Sequence, residues 1–307
     1  MSSAAPPNPP LYQPQALGEY RAALGESPLW HPLEHCLYFV DIARGQVLRW
    51  REGEAAPQAW PVGREPGCIA ALAEGGLLLA QRDGLFKFDT VDGSLQPLLP
   101  PPYDAAAQRF NDGKADAQGR FWVGTIDDAR RPASALYRLA AGSFTPMLEG
   151  ITTSNGLAWS PDGRRLYSAD TKAHRIDVCD FDPVAGAVSD RRCFAQFEAR
   201  QPGQDLNSYG GRPDGAAVDI EGCYWVAMYE GQRLLRLSPE GQVLRQVELP
   251  MRCPTMPAFG GADLRTLFVT SASDGRPADE LAAQPLAGAV LRLRVEVPGL
   301  PSHLARL

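Results

Sequence analysis

Residues Asn155–Tyr167 read NGLAWSPDGRRLY, and residues Asp214–Val226 read DGAAVDIEGCYWV. The two align without a gap. Gly163 meets Gly222 at a hairpin-turn position, and Leu166 meets Trp225 in the strand that follows. Asn111–Val123 (NDGKADAQGRFWV) puts Gly119 and Trp122 in the same two places. Glu26–Tyr38 (ESPLWHPLEHCLY) puts Leu37 in the apolar place, with His35 and its neighbours replacing the turn glycine. Cys68–Ala80 (CIAALAEGGLLLA) carries Gly76 in the turn, and a weaker copy, MPAFGGADLRTLF, starts near Met256. The starts at 26, 68, 111, 155, 214 and about 256 are separated by 42, 43, 44, 59 and 42 residues. A period of about 40–45 residues corresponds to one four-stranded propeller blade, so six copies predict six blades. The long step implies an insertion, placed around RQPGQDLNSYGG (200–211).

Helical periodicity is almost absent elsewhere. Short aliphatic and aromatic runs such as HCLYFVDI, RFWVGT and CYWVAMY alternate with Gly, Asp, Asn and Pro turns, the pattern of antiparallel meanders. The fold class read from this is all-β, a six-bladed β-propeller spanning residues 15–307 as a single domain. Residues 1–14, rich in proline, are expected to be a disordered lead-in. The segment AVLRLRVEV (289–297) is expected to supply a strand of the last blade, and LGEYRAAL (17–24) its outer strand, closing the ring and limiting exposed sheet edges.

Composition narrows the function classes. The net charge is -6 with acids spread along the chain, so nothing resembles the basic stripe of a nucleic-acid binder. No run approaches 18 apolar residues, which argues against a membrane span, and the amino terminus lacks the apolar core of a secretory signal. The six cysteines are far apart, without a C-x-x-C pair and mostly in strand-like runs, which points to reduced, buried thiols and a cytoplasmic protein. A closed propeller needs no partner for stability, so a monomer is expected.

The opening positions of the six copies hold Glu26, Cys68, Asn111, Asn155, Asp214 and Met256. In a propeller the innermost strands line the central channel, so equivalent positions form a ring. If the opening strand is innermost, four oxygen-bearing side chains converge at one mouth. Carboxylates and amides without Cys or His suit one hard divalent cation, so the propeller is expected to hold a central metal site. Such a metal polarises a carbonyl and lowers the pKa of bound water, the chemistry of ester hydrolysis. Six Asp-Gly pairs occur in the chain, most of them ordinary turn formers. Position in the repeat separates Asp162, in a hairpin, from Asp214, at an opening. The strand after each hairpin returns to the same mouth, which nominates Asp41, Asp127 or Asp128, and Asp170. Arg109 and Arg212 lie two residues before openings and are candidates to hold substrate oxygens. His31-Pro-Leu-Glu-His35 spells a zinc-peptidase pattern, but that motif needs a helix, and Pro32 with flanking strand signals sets it in a hairpin. There is no G-x-S-x-G elbow, so a serine nucleophile is unsupported.

The segments LGESPLW, YFVDI, RFNDGKADAQGRFWVGT, SNGLAWSPDG, RPDGAAVDIEGCYWVA and LFVTSA, in this order, resemble the family of senescence marker protein 30 (regucalcin), gluconolactonase and luciferin-regenerating enzyme. The resemblance spans residues 20–300 and implies a six-bladed propeller. It also implies a divalent metal (Ca, Zn, Mn, Mg or Fe(II)) on Glu26, Asn155 and Asp214, with Asp214 as the catalytic base. Arg109 and Asn111 would bind substrate oxygens. The stretch after Gly124-Thr125 is shorter than in some relatives, which carry acidic substrate contacts there; Asp127 and Asp128 are the expected substitutes, with Asp128 taken as a substrate-binding residue. The expected activity is hydrolysis of a sugar-acid lactone, such as glucono-, xylono-, arabinono- or galactonolactone. Two other readings stand beside it: a calcium-binding regulatory protein, and an organophosphate or other lactone hydrolase with an apolar rim.

Overall fold

The computed structural model describes residues 10–307. Among these residues twenty-four strands form six four-stranded antiparallel sheets. Five sheets are simple meanders whose strands follow chain order, the result expected when each hydrophobic run is followed by a tight turn. The first strand of each blade is Gly25–Trp30, Cys68–Ala71, Gln108–Ala115, Ser154–Trp159, Arg212–Val218 and Pro254–Gly260. These strands pack against one another around the axis, so every opening position lies on an innermost strand.

The hydrophobic side chains are buried between neighbouring blades. One such cluster joins Tyr38, Val40 and Val47 to Ile69, Leu79 and Phe88, and another joins Trp225, Ala227 and Leu234 to Phe259, Leu267 and Leu291. Two blades share a further device. Asp116, three residues before the turn glycine, accepts from the backbone N of Gln118 and Arg120 and from Trp122 Nε1 (2.9 Å). Asp219 does the same with Glu221 N, Cys223 N and Trp225 Nε1 (2.9 Å). One carboxylate thus fixes the turn and satisfies the indole N–H that burial would otherwise strand. In the first blade His35 takes the turn at φ 52°, the left-handed conformation that Gly163 adopts at φ 64°. His31 Nδ1 there accepts from Glu34 N at 3.1 Å, so the H-x-x-E-H stretch is a hairpin, as its proline indicated.

The ring closes with strand Gln15–Ala16 as the outer strand of the last blade, beside Leu291–Arg294. The closing strand therefore precedes LGEYRAAL, the segment expected to supply it; residues 17–24 instead lead inward to the first blade, with Ala23 N and Leu24 N donating to Asp41. Of the expected lead-in, residues 1–9 lie outside the described residues. Residues 10–14 make contacts of their own: Tyr12 N donates to Arg294 O (2.8 Å), and the Tyr12 ring stacks on Trp225. The long repeat step is taken up by longer outer strands (Arg175–Asp182 and Ala187–Gln196) and by the connection to Arg212, which carries a 3-10 turn at Leu206–Ser208. All six cysteines are free; five are buried, and Cys193 is exposed on an outer strand. Among the described residues no helix is long and apolar enough to cross a membrane.

The carboxy-terminal tail straps the mouth opposite the opening positions. Ile220 N donates to Pro298 O (3.0 Å), Ala305 N to Ala71 O (2.7 Å), Ala73 N to Ala305 O (2.9 Å) and Arg306 N to Gly119 O (2.8 Å). It thereby ties the fifth blade to the second and third. Deleting residues 298–307 is expected to cost about 3 kcal/mol, at roughly 0.5–1.5 kcal/mol per backbone hydrogen bond. Thermal melting would then fall by roughly 5–10 °C; an unchanged midpoint would show that the strap carries no stability.

Candidate functional site

Five of the six first strands lose one-to-one pairing at the opening position. The breaks fall between Glu26 and Leu29, Phe110 and Gly113, Asn155 and Ala158, Pro213 and Ala216, and Pro254 and Pro257. Each is a bulge of one extra residue, a device that re-aims side chains. The strand beginning at Cys68 pairs regularly, Cys68 with Ala80, and contributes a buried thiol instead of an oxygen. Gly156 shows why glycine follows the opening residue. Its φ is 60°, and a Cβ there would lie 2.3 Å from the Tyr224 hydroxyl, which donates to Gly156 O.

Glu26, Arg109, Asn111, Asn155 and Asp214 line one pocket of about 270 Å³ at the channel mouth. Arg109 Nη1 donates to Asn111 Oδ1 (2.8 Å), Asn111 Nδ2 to Asn155 Oδ1 (3.0 Å), and Asn155 Nδ2 to Asp214 Oδ1 (2.5 Å). The chain crosses three blades with every donor directed towards Asp214. Thr171 Oγ1 accepts the second Asn155 Nδ2 hydrogen at 2.8 Å. Glu26 faces this chain from the first blade and, among the described residues, accepts only from the backbone of Ser27, at 3.3 Å. Beneath them Lys114 Nζ donates to Leu157 O (2.8 Å) and Ala216 O, beside the buried Asp112.

Burial dominates the electrostatics. It pushes the Asp214 carboxyl up to about 8, against the pull of Arg212 and Arg109 and with the help of the Asp112 charge. It also pushes Glu26 well above the usual carboxylate range, and the nearby Asp214 and Asp112 charges add to this. The Arg109 guanidinium is drawn down, chiefly by burial. Two inward carboxyls held towards their neutral forms, one without a side-chain donor, beside an amide oxygen, make a donor set suited to a hard divalent cation. Glu26, Asn155 and Asp214 would hold it. Another acidic group, Asp219, Glu221 and Cys223, approaches within 4.8 Å at a hairpin on the opposite mouth. There Arg236 pairs with both carboxylates, and the backbone and Trp225 take up the rest of Asp219.

The second-tier residues divide. Arg212 lines the pocket, paired with Glu230 and stacked 4.8 Å over Tyr229. Asp41 and Asp170 are buried and tie down the chain entering the inner strands, Asp170 through Thr152 N (2.9 Å) and Thr153 N (3.1 Å). Asp127 is buried and paired with Arg131. Asp128, taken from the sequence as a substrate contact, does not line the pocket; both its oxygens accept from Arg82, at 3.0 Å. From that same loop it is Arg130 that reaches the pocket. Thr153, Thr171, Lys172 and Tyr229 also line it and carried no signal in the repeat.

The pocket at the channel mouth is concave with a few convergent polar groups, the form of a small-molecule site. The chain belongs to the SMP-30/gluconolactonase/LRE-like family, whose model matches residues 24–273. A 6-deoxy-6-sulfogluconolactonase from Pseudomonas putida is 41% identical over 92% of this chain and 95% of its own length. Regucalcin from Xenopus laevis is 34% identical, covering 88% of this chain and 90% of its own. The crystal structure of a calcium-binding protein, regucalcin, from Agrobacterium tumefaciens superposes with a TM-score of 0.87 at 28% identity, over 95% of this chain and 97% of that one.

Proposed function

We propose that this protein is a carboxylic ester hydrolase that opens the lactone ring of a sugar acid, with one divalent cation held by Glu26, Asn155 and Asp214. The observation that carries the reading is the carboxylate pair, Glu26 and the buried Asp214, beside a directed amide chain on one pocket. The family membership and the 41% identity to a sugar lactonase support the same class.

A bound divalent cation would polarise the lactone carbonyl and steady the negative charge that develops on its oxygen. Asp214 takes a proton from the attacking water, as its donor chain holds one carboxylate oxygen and leaves the other for the reaction. The water oxygen bonds to the carbonyl carbon, the bond from that carbon to the ring oxygen breaks, and the ring oxygen leaves as a hydroxyl with a proton returned by Asp214. Arg109 and Asn111 orient sugar hydroxyls, and their mutual bond fixes both side chains before substrate arrives.

Proton release from a panel of aldonolactones tests the class. Catalysed hydrolysis of at least one sugar lactone is expected; a protein that accelerates none would overturn the reading. Arg109→Gln keeps hydrogen-bonding capacity but loses the planar cation, and is expected to raise KM about tenfold with a smaller change in kcat. An unchanged KM would remove Arg109 from substrate binding.

A further inference from the structure

The charges lining the pocket do not balance, and they are layered. Glu26 and Asp214 lie at the floor, where Asp214 is 5% exposed. Arg109, Arg130, Lys172 and Arg212 also line it, and Arg130 and Lys172 are exposed at the outer mouth. The carboxylates nearest in sequence to these two are engaged elsewhere. Asp127 pairs with Arg131, Asp128 with Arg82, and Asp170 accepts from the backbone of Thr152 and Thr153. Arg212 has Glu230, and Arg109 shares Glu65 with Arg82. Among the described residues no carboxylate pairs with Arg130 or Lys172; Arg130 Nη1 has only a 3.5 Å approach to Asp127 O. In a chain of net charge -6, two unpaired cations on the rim of one small pocket concentrate positive potential at its entrance.

A neutral polyol would give these cations nothing to pair with. We propose that the lactone taken by this pocket bears an anionic group, a sulfonate, phosphate or carboxylate, at the end of the sugar remote from the reacting carbonyl. Arg130 and Lys172 hold that group at the rim. The proposal rests on the lactonase reading above and narrows its substrate class. The reacting carbonyl goes to the floor, beside Asp214, and the remote end of the sugar points outward between the two cations. The carboxylate of the product forms at the floor, so it is not the anion that the rim addresses. Arg130 and Lys172 stand on different blades, after the second strands of the third and fourth, and an anion spanning them is gripped from two sides.

The test compares gluconolactone with its 6-sulfonated, 6-phosphorylated and 6-carboxylate forms, measured as kcat/KM for the parent and for the double variant Arg130→Asn/Lys172→Gln. Asparagine suits position 130, where φ is 57°. In the parent at low ionic strength the anionic lactones are expected to be preferred by about tenfold or more. That preference should collapse towards unity in the double variant and in about 0.5 M salt, where charges are screened within a few ångströms. Which charged lactone leads identifies the anion. A parent preference near unity, or one the double variant retains, overturns the anion subsite while leaving the lactonase class intact. If no lactone is turned over, the class fails first. Calorimetric binding of sulfonated or phosphorylated gluconate against gluconate then judges the subsite, and equal affinities would overturn it as well.

Discussion

Replacing Asp214 by asparagine is expected to lower kcat for lactone hydrolysis by about a thousandfold or more, within the range for loss of a general base. The fold should survive. Asn155 Nδ2 donates to Asp214 Oδ1, and an asparagine oxygen can accept the same bond. Burial disfavours the ionised carboxylate and pushes its pKa up to about 8, so a neutral amide resembles the uncharged form that the metal-free fold favours. The melting temperature of the metal-free variant is therefore expected to equal or exceed that of the metal-free parent. Asp214 is proposed both as ligand and as base, and titration with divalent metal separates the two roles. If kcat returns at saturating metal, Asp214 acts as a ligand alone. If it stays low with metal bound, the base assignment stands. A variant with parental kcat throughout would remove Asp214 from the chemistry.

Stripping the protein of divalent metal is expected to abolish lactone hydrolysis and to lower stability, with both restored by one added ion per chain. The size of the stability effect follows from mass action: metal at 100 times its Kd adds about 2.7 kcal/mol. For a chain of this size that is a rise in melting temperature of roughly 5–10 °C. Glu26 supplies the control. Among the described residues its carboxylate accepts only one backbone N–H, so Glu26→Gln disturbs no side-chain partner there yet removes a charged ligand. The variant should melt near the metal-free parent and lose most of the metal-induced rise. A panel of Ca, Mg, Mn, Zn and Fe(II) ranks the ions by that rise and by restored turnover. Activity that persists after complete chelation would overturn the metal-dependent mechanism and leave Asp214 with the amide chain to account for catalysis.

Much of the site was legible because the repeat is a coordinate system. A residue at an opening position must face the axis if the first strand is innermost, and the same inference holds for every blade at once. Glu26, Asn111, Asn155 and Asp214 all meet this condition, and they share one pocket. Side chains outside the repeat follow no such rule. Asp41, Asp127 and Asp170 return to the correct mouth, but they are buried turn anchors, because the strand ends they terminate expose backbone N–H groups that need acceptors. Asp128 was drawn away by Arg82, whose guanidinium collects Glu65 and Asp128 from neighbouring loops. Arg130 and Lys172 lie in loops after second strands, where no period constrains direction. The closing strand falls a few residues before the expected segment, since two paired residues at Gln15–Ala16 leave almost no hydrophobic signature.

The sequence by itself determined the blade count, the antiparallel meanders, the turn positions and the ring of oxygen-bearing residues. These depend on local hydrophobic alternation and on turn chemistry, and both repeat every blade. The bulges at the openings, the relay from Arg109 to Asp214 and the strap over the far mouth were decided only by tertiary structure. So was the unbalanced positive rim. Each of these joins residues from different blades, or aims a side chain through a break in register. Such contacts depend on distances across the ring, which no single segment of chain encodes.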